Sequence, residues 1–530
     1  MNTPTPSTAW ERTTTRRFLR WLFSWQTVRR TLIAAAWVVT LIALLYGEEN
    51  WRGRRAWNQY QQKLEAQGAQ LDLQAFIPPP VPDDQNFAAT PFVTAWFPKG
   101  GARWEDNYSK AEAKLPGQDT SRRQFLDLVA WGTALKAAEA GSLKPNRSAE
   151  TGKLDAESRA QAAPAVLAGL QDDEAIFQEL RSASRRPQVR YPVIYNLDNP
   201  WGILLPHLAK IKATCYRLRL KACAELAAGQ PDRALEDLRL LFYMADSLKS
   251  EPFLISYLVR LSCLELASQP VWEGLSEHRW TAGQLGELQA RLQRFDLLND
   301  VSRPRAAERA AIILTADLLY RQKYRLSDLG EMADTKPPFW TTGFANLLGR
   351  MAPHGWYYLE QINACRFYQD QSPGAFDPVQ KRISPRLLAA DVKMLEQQLS
   401  GGGLGPELNA LLHHQVLATL LQPGAHSTFA NLPLKVASAQ ATVDQAALAC
   451  ALERCRLAEG WFPEKLEALV PRFMAQLPKD ALTGEPYRYR RASDGQFVLY
   501  SIGWDEQDDG GVSGGAGRKA LFDEQGDWVW

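Results

Sequence analysis

Residues 222–238 read ACAELAAGQPDRALEDL, and they decide how most of the chain is built. Just upstream, Ile211, Cys215, Leu218, Ala222 and Leu226 recur at the spacing of one face of an α-helix. Gly229 marks its end, because glycine takes up the left-handed backbone of a helix stop without penalty. Pro231 and Asp232 open a second helix, where a missing N–H and a negative charge are both tolerated. Leu235, Leu238, Leu241, Phe242, Ala245 and Leu248 then turn inward. A third helix carries Leu254, Leu258, Leu261 and Leu264. Outward from this pair the pattern stays helical from about 120 to 425. The run PQVRYPVIY at 187–195 is the exception and predicts a short extended segment.

The turn at 228–232 resembles that of a tetratricopeptide hairpin, but no 34-residue period is sustained. An irregular helical solenoid or bundle over 101–425 is therefore expected. At 530 residues the chain is too long for one ordinary core. A 45% hydrophobic and 23% charged composition is that of a folded protein. The net charge of +2 gives no bulk attraction to nucleic acid, and no basic-aromatic module appears. The cysteines are Cys215, Cys223, Cys263, Cys365, Cys450 and Cys455, without a C-x-x-C pair, and read first as buried small apolar residues. A Cys215–Cys263 disulfide outside the cytoplasm stays open. Of the histidines, His413 and His414 are adjacent, so their rings diverge by about 100° on a helix. A Cys–His nucleophile pair, for instance His413 with Cys450, could be assembled only by folding. The glycine run at 400–405 lacks a following Lys-Ser/Thr and reads as a linker, as do Pro423 and Gly424.

Residues 31–47 read TLIAAAWVVTLIALLYG, seventeen residues without a charge, the short limit of a membrane-spanning helix. Arg12, Arg16, Arg17, Arg20, Arg29 and Arg30 precede it against one acid, Glu11, which places the N-terminus in the cytoplasm. Trp21, Trp25, Tyr46 and Trp51 suit the two interfaces. No small-x-small cleavage site follows the run, so an uncleaved anchor is expected rather than a signal peptide. The chain then divides into a basic tail (1–30), the span (31–47), a juxtamembrane helix and linker (48–100), the helical body (101–425) and a C-terminal module (430–530). In the juxtamembrane helix Trp57, Tyr60 and Leu64 share a stripe that ends near Gly68. Pro78, Pro79, Pro80 and Pro82 predict a stiff polyproline spacer. The stretch 76–91 resembles a recurrent juxtamembrane segment of uncharacterised single-anchor bacterial membrane proteins.

The last seventy or so residues follow a long helix expected over about 433–458. They carry GWFPEKLEALVP at 460–471, Leu477-Pro-Lys-Asp480, Gly484-Glu-Pro-Tyr-Arg-Tyr489, then YSIGWDEQDDGG at 500–511 and Gly526-Asp-Trp528. This order resembles the C-terminal domain of the major pseudopilin of bacterial type II secretion systems. The resemblance implies a small α+β module with strands near 487–491 and 496–501, and a calcium-binding acidic loop. That family's anchor is continuous with the module's helix and carries a prepilin cleavage site. Here the apolar run lies far upstream and no such site is present. Calcium takes six to eight oxygen ligands on flexible loops, and Asp505, Asp508, Asp509 and Asp527 are the candidate ligands. The overall expectation is a mainly α protein of the bacterial inner membrane, with its bulk in the periplasm and no enzymatic activity. It would be a scaffold or accessory that meets protein partners, in a setting of secretion or pilus-like assembly. The alternative is a periplasmic, hydrolase-like enzyme with a dispersed active site.

Overall fold

The computed structural model describes residues 21, 24–97, 125–139, 155–323, 350–366, 375–377, 379–400, 413–415, 431–514 and 526–530, without side chains at 392 and 395–400. The expectations for the tail at 1–20, the glycine run at 401–405, Pro423 and Gly424 lie outside them.

The first helix, α1, runs unbroken from Trp25–Ala66. Ser24 caps it by accepting from the Thr27 amide, and the left-handed Gly68 follows its end. Its apolar half is exposed along its whole length, with Leu32, Val39, Leu41 and Leu44 all more than 60% open. It is the one helix among the described residues long and apolar enough to cross a membrane. The polar half is fastened to the body. Tyr60 and Leu64 pack with Ile313, Ile362 and Cys365.

Short helices α2 (Leu128–Glu139), α3 (Ala156–Gly169) and α4 (Glu174–Ala183) precede the predicted hairpin of α5 (Pro206–Ala227) and α6 (Pro231–Asp246). Gly229 between them has φ +72°, as the hairpin stop requires. The third helix, α7, spans Leu254–Ser276 and packs on both. α8 (Ala282–Leu292) begins with a capping box between Thr281 and Gln284. α9 (Ser302–Tyr320) and α10 (His354–Cys365) pack together, and α10 also lies along α1. A two-residue hairpin, β1 (Phe376–Asp377) with β2 (Arg382–Ile383), leads to α11 (Pro385–Ser400). The long α12 (Leu432–Glu459) feeds an antiparallel sheet of β3 (Arg488–Arg491), β4 (Phe497–Ser501) and β5 (Trp528–Val529), in that order.

Two expectations about organisation change. The proline-rich run is no free spacer. Phe76 and Leu73 pack on Ala307 and Ala310 of α9, Arg190 donates to the Pro78 carbonyl, and Phe87 is wholly buried in the main core. Backbone carbonyls freed by the prolines are thereby claimed by arginines of the body, as at Arg303 to the Phe76 carbonyl. Nor does the core divide near 425–430. α12 lies against both α7 and α8, and one apolar cluster joins Phe87, Leu241, Leu264 and Leu288 to Leu448, Leu499 and Trp528.

Charges buried between helices set the register. Lys221 of α5 reaches Glu225 at 2.6 Å and Asp237 of α6 at 2.9 Å, and Arg217 meets Asp173 at 2.6 Å. Arg159 of α3 pairs with Glu273 and Glu277 at the end of α7. Such pairs are worth little against apolar substitutes, but removing one partner strands the other.

α1 and α10 cross at glycines. A Cβ on Gly53 would stand 2.2 Å from the Gly355 carbonyl oxygen, and one on Gly355 would stand 1.9 Å from that of Glu49. The Gly355 amide donates to Asn50 Oδ1 at 2.8 Å, and Trp356 Nε1 donates to Glu49 at 3.2 Å. Both obstructions are backbone atoms, so neither side can yield by a rotamer change. Gly355→Ala is therefore expected to lower stability by about 1–3 kcal/mol, the usual cost of overpacking. Urea denaturation of the detergent-solubilised chain would show it. A loss within error would mean that the two helices can separate freely.

Candidate functional site

The acidic loop closes the C-terminal sheet. After β4 the chain turns at Gly503, with φ +75°, where a Cβ would also stand 2.2 Å from the Gly526 carbonyl oxygen. Glycine is required there twice over, by backbone angle and by contact. The two sides of the loop are tied by carboxylates. Asp505 accepts from the Gln507 amide at 3.1 Å and from the Gly526 amide at 3.0 Å. Asp508 accepts from the Tyr500 hydroxyl at 2.9 Å and the Gly510 amide at 3.1 Å, and its other oxygen faces Arg488 at 3.5 Å.

Asp527 is 2% exposed. One of its oxygens accepts from the Gly511 amide at 2.7 Å, and its own amide donates to the Val512 carbonyl at 3.0 Å. The other oxygen, Oδ1, is buried without a hydrogen-bond partner. Burial pushes this carboxyl above the usual range, the charges of Asp508 and Asp509 push it the same way, and amides of Gly511 and Asp509 pull it back. The structure thus ties Asp505, Asp508 and Asp527 into the loop closure by hydrogen bonds, with Asp508 and Asp509 both exposed and the Asp509 charge acting on Asp527. Among the described residues, no three His, Cys, Asp or Glu side chains converge as a metal-binding group.

A second acidic site escaped the sequence reading. Asp444 of α12 accepts from Gln440 at 3.0 Å and from the Tyr487 hydroxyl at 3.0 Å. Burial pushes its carboxyl up to about 7, the charge of Asp480 adds to the rise, and the two hydrogen bonds oppose it. Asp480 belongs to the Leu-Pro-Lys-Asp turn. Its side chain accepts from the Leu482 amide at 3.0 Å, its carbonyl from the Gly484 amide at 2.7 Å, and burial raises its carboxyl too. The motif around 477–487 is therefore a turn that carries one buried acid and sets Tyr487 against another. The available signal was a lone acid within the Ala-rich face Val443, Ala446 and Ala447.

The remaining candidates separate. Cys450 is buried in the core with its thiol pushed up to about 12 by burial. His413 and His414 instead lie beside α10, where Asn363 donates to both backbone carbonyls and the Trp356 ring approaches His414 to 5.1 Å. Cys215 and Cys263 do meet, as buried free thiols between α5 and α7. An open groove of about 460 Å³ lies between α1 and α9, lined by Trp57, Glu65, Asp72, Ile313, Asp317 and Gln361. Its acids are engaged locally: Glu65 accepts from Gln61, Asp72 from the Gln74 amide and Asp317 from Gln361. No nucleophile and base pair faces it among the described residues.

The raised Asp444 carboxyl has a stability consequence. Its ordinary value is 3.8, so above that pH the unfolded chain releases a proton that the folded state keeps until about pH 7. Stability contributed by this group is full below about pH 4, falls as pH rises and is lost above about 7. Asp444→Asn should remove up to one proton's worth of slope, about 1.4 kcal/mol per pH unit, from urea stabilities measured between those limits. Identical slopes in the two proteins would show Asp444 ionised throughout. No protein-family model, curated protein or solved structure matches the chain.

Proposed function

We propose that this chain is a membrane-anchored extracytoplasmic scaffold that holds a large helical body and its C-terminal sheet at a bilayer surface for protein partners. The observation that carries the reading is α1, a single helix whose apolar half is exposed while its polar half is packed into the body. An exposed apolar helix of that length is satisfied by lipid. The arginine excess before residue 31 supports a cytoplasmic N-terminus in the inner membrane and a periplasmic body. The likeness of 430–530 to the pseudopilin domain supports a setting of secretion or pilus-like assembly.

Calcium belongs to the same proposal. What supports it is the buried, unpartnered Oδ1 of Asp527 beside two further acids, the chemistry that a hard cation satisfies. Asp505, Asp508, Asp509 and Asp527 are the residues that would hold it. Bound there, the ion would lock the loop to β5.

Two measurements test these readings. Alkaline phosphatase fused after Trp530 should be active, and a fluorescent protein that matures only in the cytoplasm should be dark at the same point. The reverse pattern would invert the topology. For the ion, thermal melting of the full chain should rise in millimolar calcium over chelator, by about 2.7 kcal/mol of stability at a hundredfold excess over its dissociation constant. Asp505→Ala with Asp509→Ala should abolish the rise, and magnesium should replace calcium poorly. Equal melting with calcium and with chelator would leave the loop closed by its hydrogen bonds alone.

A further inference from the structure

We infer that the start of α10 is a second membrane contact, seated in the lipid headgroup layer beside the anchor, so that the body rests on the bilayer instead of standing off it. The inference rests on the reading of residues 31–47 as a span. It follows from where the body grips α1. The Tyr46 hydroxyl, in the last turn of the apolar run, donates to the Met351 carbonyl. Higher up, Asn50 receives the Gly355 amide and Gly53 touches Gly355.

Each helical residue adds 1.5 Å, so Gly53 stands only about 9 Å beyond Gly47, where the apolar run ends. The headgroup layer is itself about 5–7 Å thick. The segment from Met351 to Gly355 therefore spans that layer, whatever the tilt of the rest of the body. Its chemistry agrees with the position. Met351 is 59% exposed and Trp51 62%, apolar groups open to the surroundings at this height. Arg54, Arg55, Arg350 and His354 are exposed around them, while Arg52 is held by Glu49 at 2.8 Å. Apolar side chains ringed by long cations are what a phospholipid interface accommodates. The glycine crossing makes the seating rigid, because neither helix can slide without meeting backbone.

The test uses the full chain in vesicles of phosphatidylcholine and phosphatidylglycerol. All the native cysteines are buried, so a thiol-reactive fluorophore reports only an introduced one. Placed at Leu41→Cys, it should be quenched by lipids bearing a nitroxide deep in the acyl chain. Placed at Met351→Cys, it should be quenched by a nitroxide at headgroup depth and shielded from aqueous iodide. Gly355→Leu, which forces α10 off α1, should return the 351 label to iodide and leave the Leu41 result unchanged. A quenched label at 41 with a 351 label open to iodide would overturn this inference and leave the anchor standing. An unquenched label at 41 would overturn both. A 351 label shielded from lipid and water alike, crosslinking to its own copy, would assign the surface to a second chain and overturn it as well.

Discussion

The rest of the structure depends on the burial of α12 on every side. Leu434, Val436, Ala439, Ala447, Leu448, Cys450 and Leu452 leave it almost no open face before its last, exposed turn at Leu457 to Glu459. A helix of this kind is stable only when neighbours enclose it completely. Here α7 and α8 cover one side and the C-terminal sheet another. Alanine-rich spacing lets these neighbours approach closely. Several of its polar groups find partners: Gln440 donates to the Phe295 carbonyl and Gln445 to the Trp528 carbonyl, and Glu453 meets His278 and Arg456. The sheet is thus a wall of the body's own core more than an appended module.

The same logic governs the other end. Half of α1 has no polar neighbours to find and half is clamped by the body. The clamp uses glycine because only the absence of a side chain lets backbone meet backbone at Gly53 and Gly355. Between the ends, buried ion pairs such as Lys221 with Asp237 fix which helix faces which. Burial disfavours their charges enough that Glu225, held between Lys221 and Asp237, rises to about 8.

Much of this was legible in the sequence, and the reason is local. Helix stops at Gly68 and Gly229 depend on one residue's backbone freedom, and both have positive φ. The inward faces of α5 and α6 depend on spacing alone. The strands at 488–491 and 497–501 lie where the pseudopilin resemblance implied them, near 487–491 and 496–501. What was not legible depends on residues far apart in the chain. The proline run reads as a spacer until Arg190 and Arg303, more than a hundred residues away, take its carbonyls. The glycines at 53 and 355 carry no local signal of each other. Asp444 looks like an ordinary helical acid until Tyr487 arrives. In the acidic loop the residues were evident, but their division of labour was not: Asp505 and Asp527 accept from backbone amides across the loop, whereas Asp509 is exposed.

The pairing of β5 with β4 brings in one more matter, the order of synthesis. Trp528 lies in the same core as Phe87, and its carbonyl is held by Gln445 of α12. A ribosome delivers these partners in sequence, Phe87 first, then Gln445, then Trp528. Early helices such as α5 and α6 can pair as they emerge, since their contacts are close in the chain. The surface that α7 and α8 reserve for α12 stays open until residues 432–459 are made, and the face that α12 turns to the sheet waits for Trp528. Such a nascent body carries exposed apolar surface for most of its translation, the state in which chains aggregate. A chain interrupted just short of β5 would be left with its longest buried helix half covered, and it is there that chaperone or protease surveillance would act on this protein.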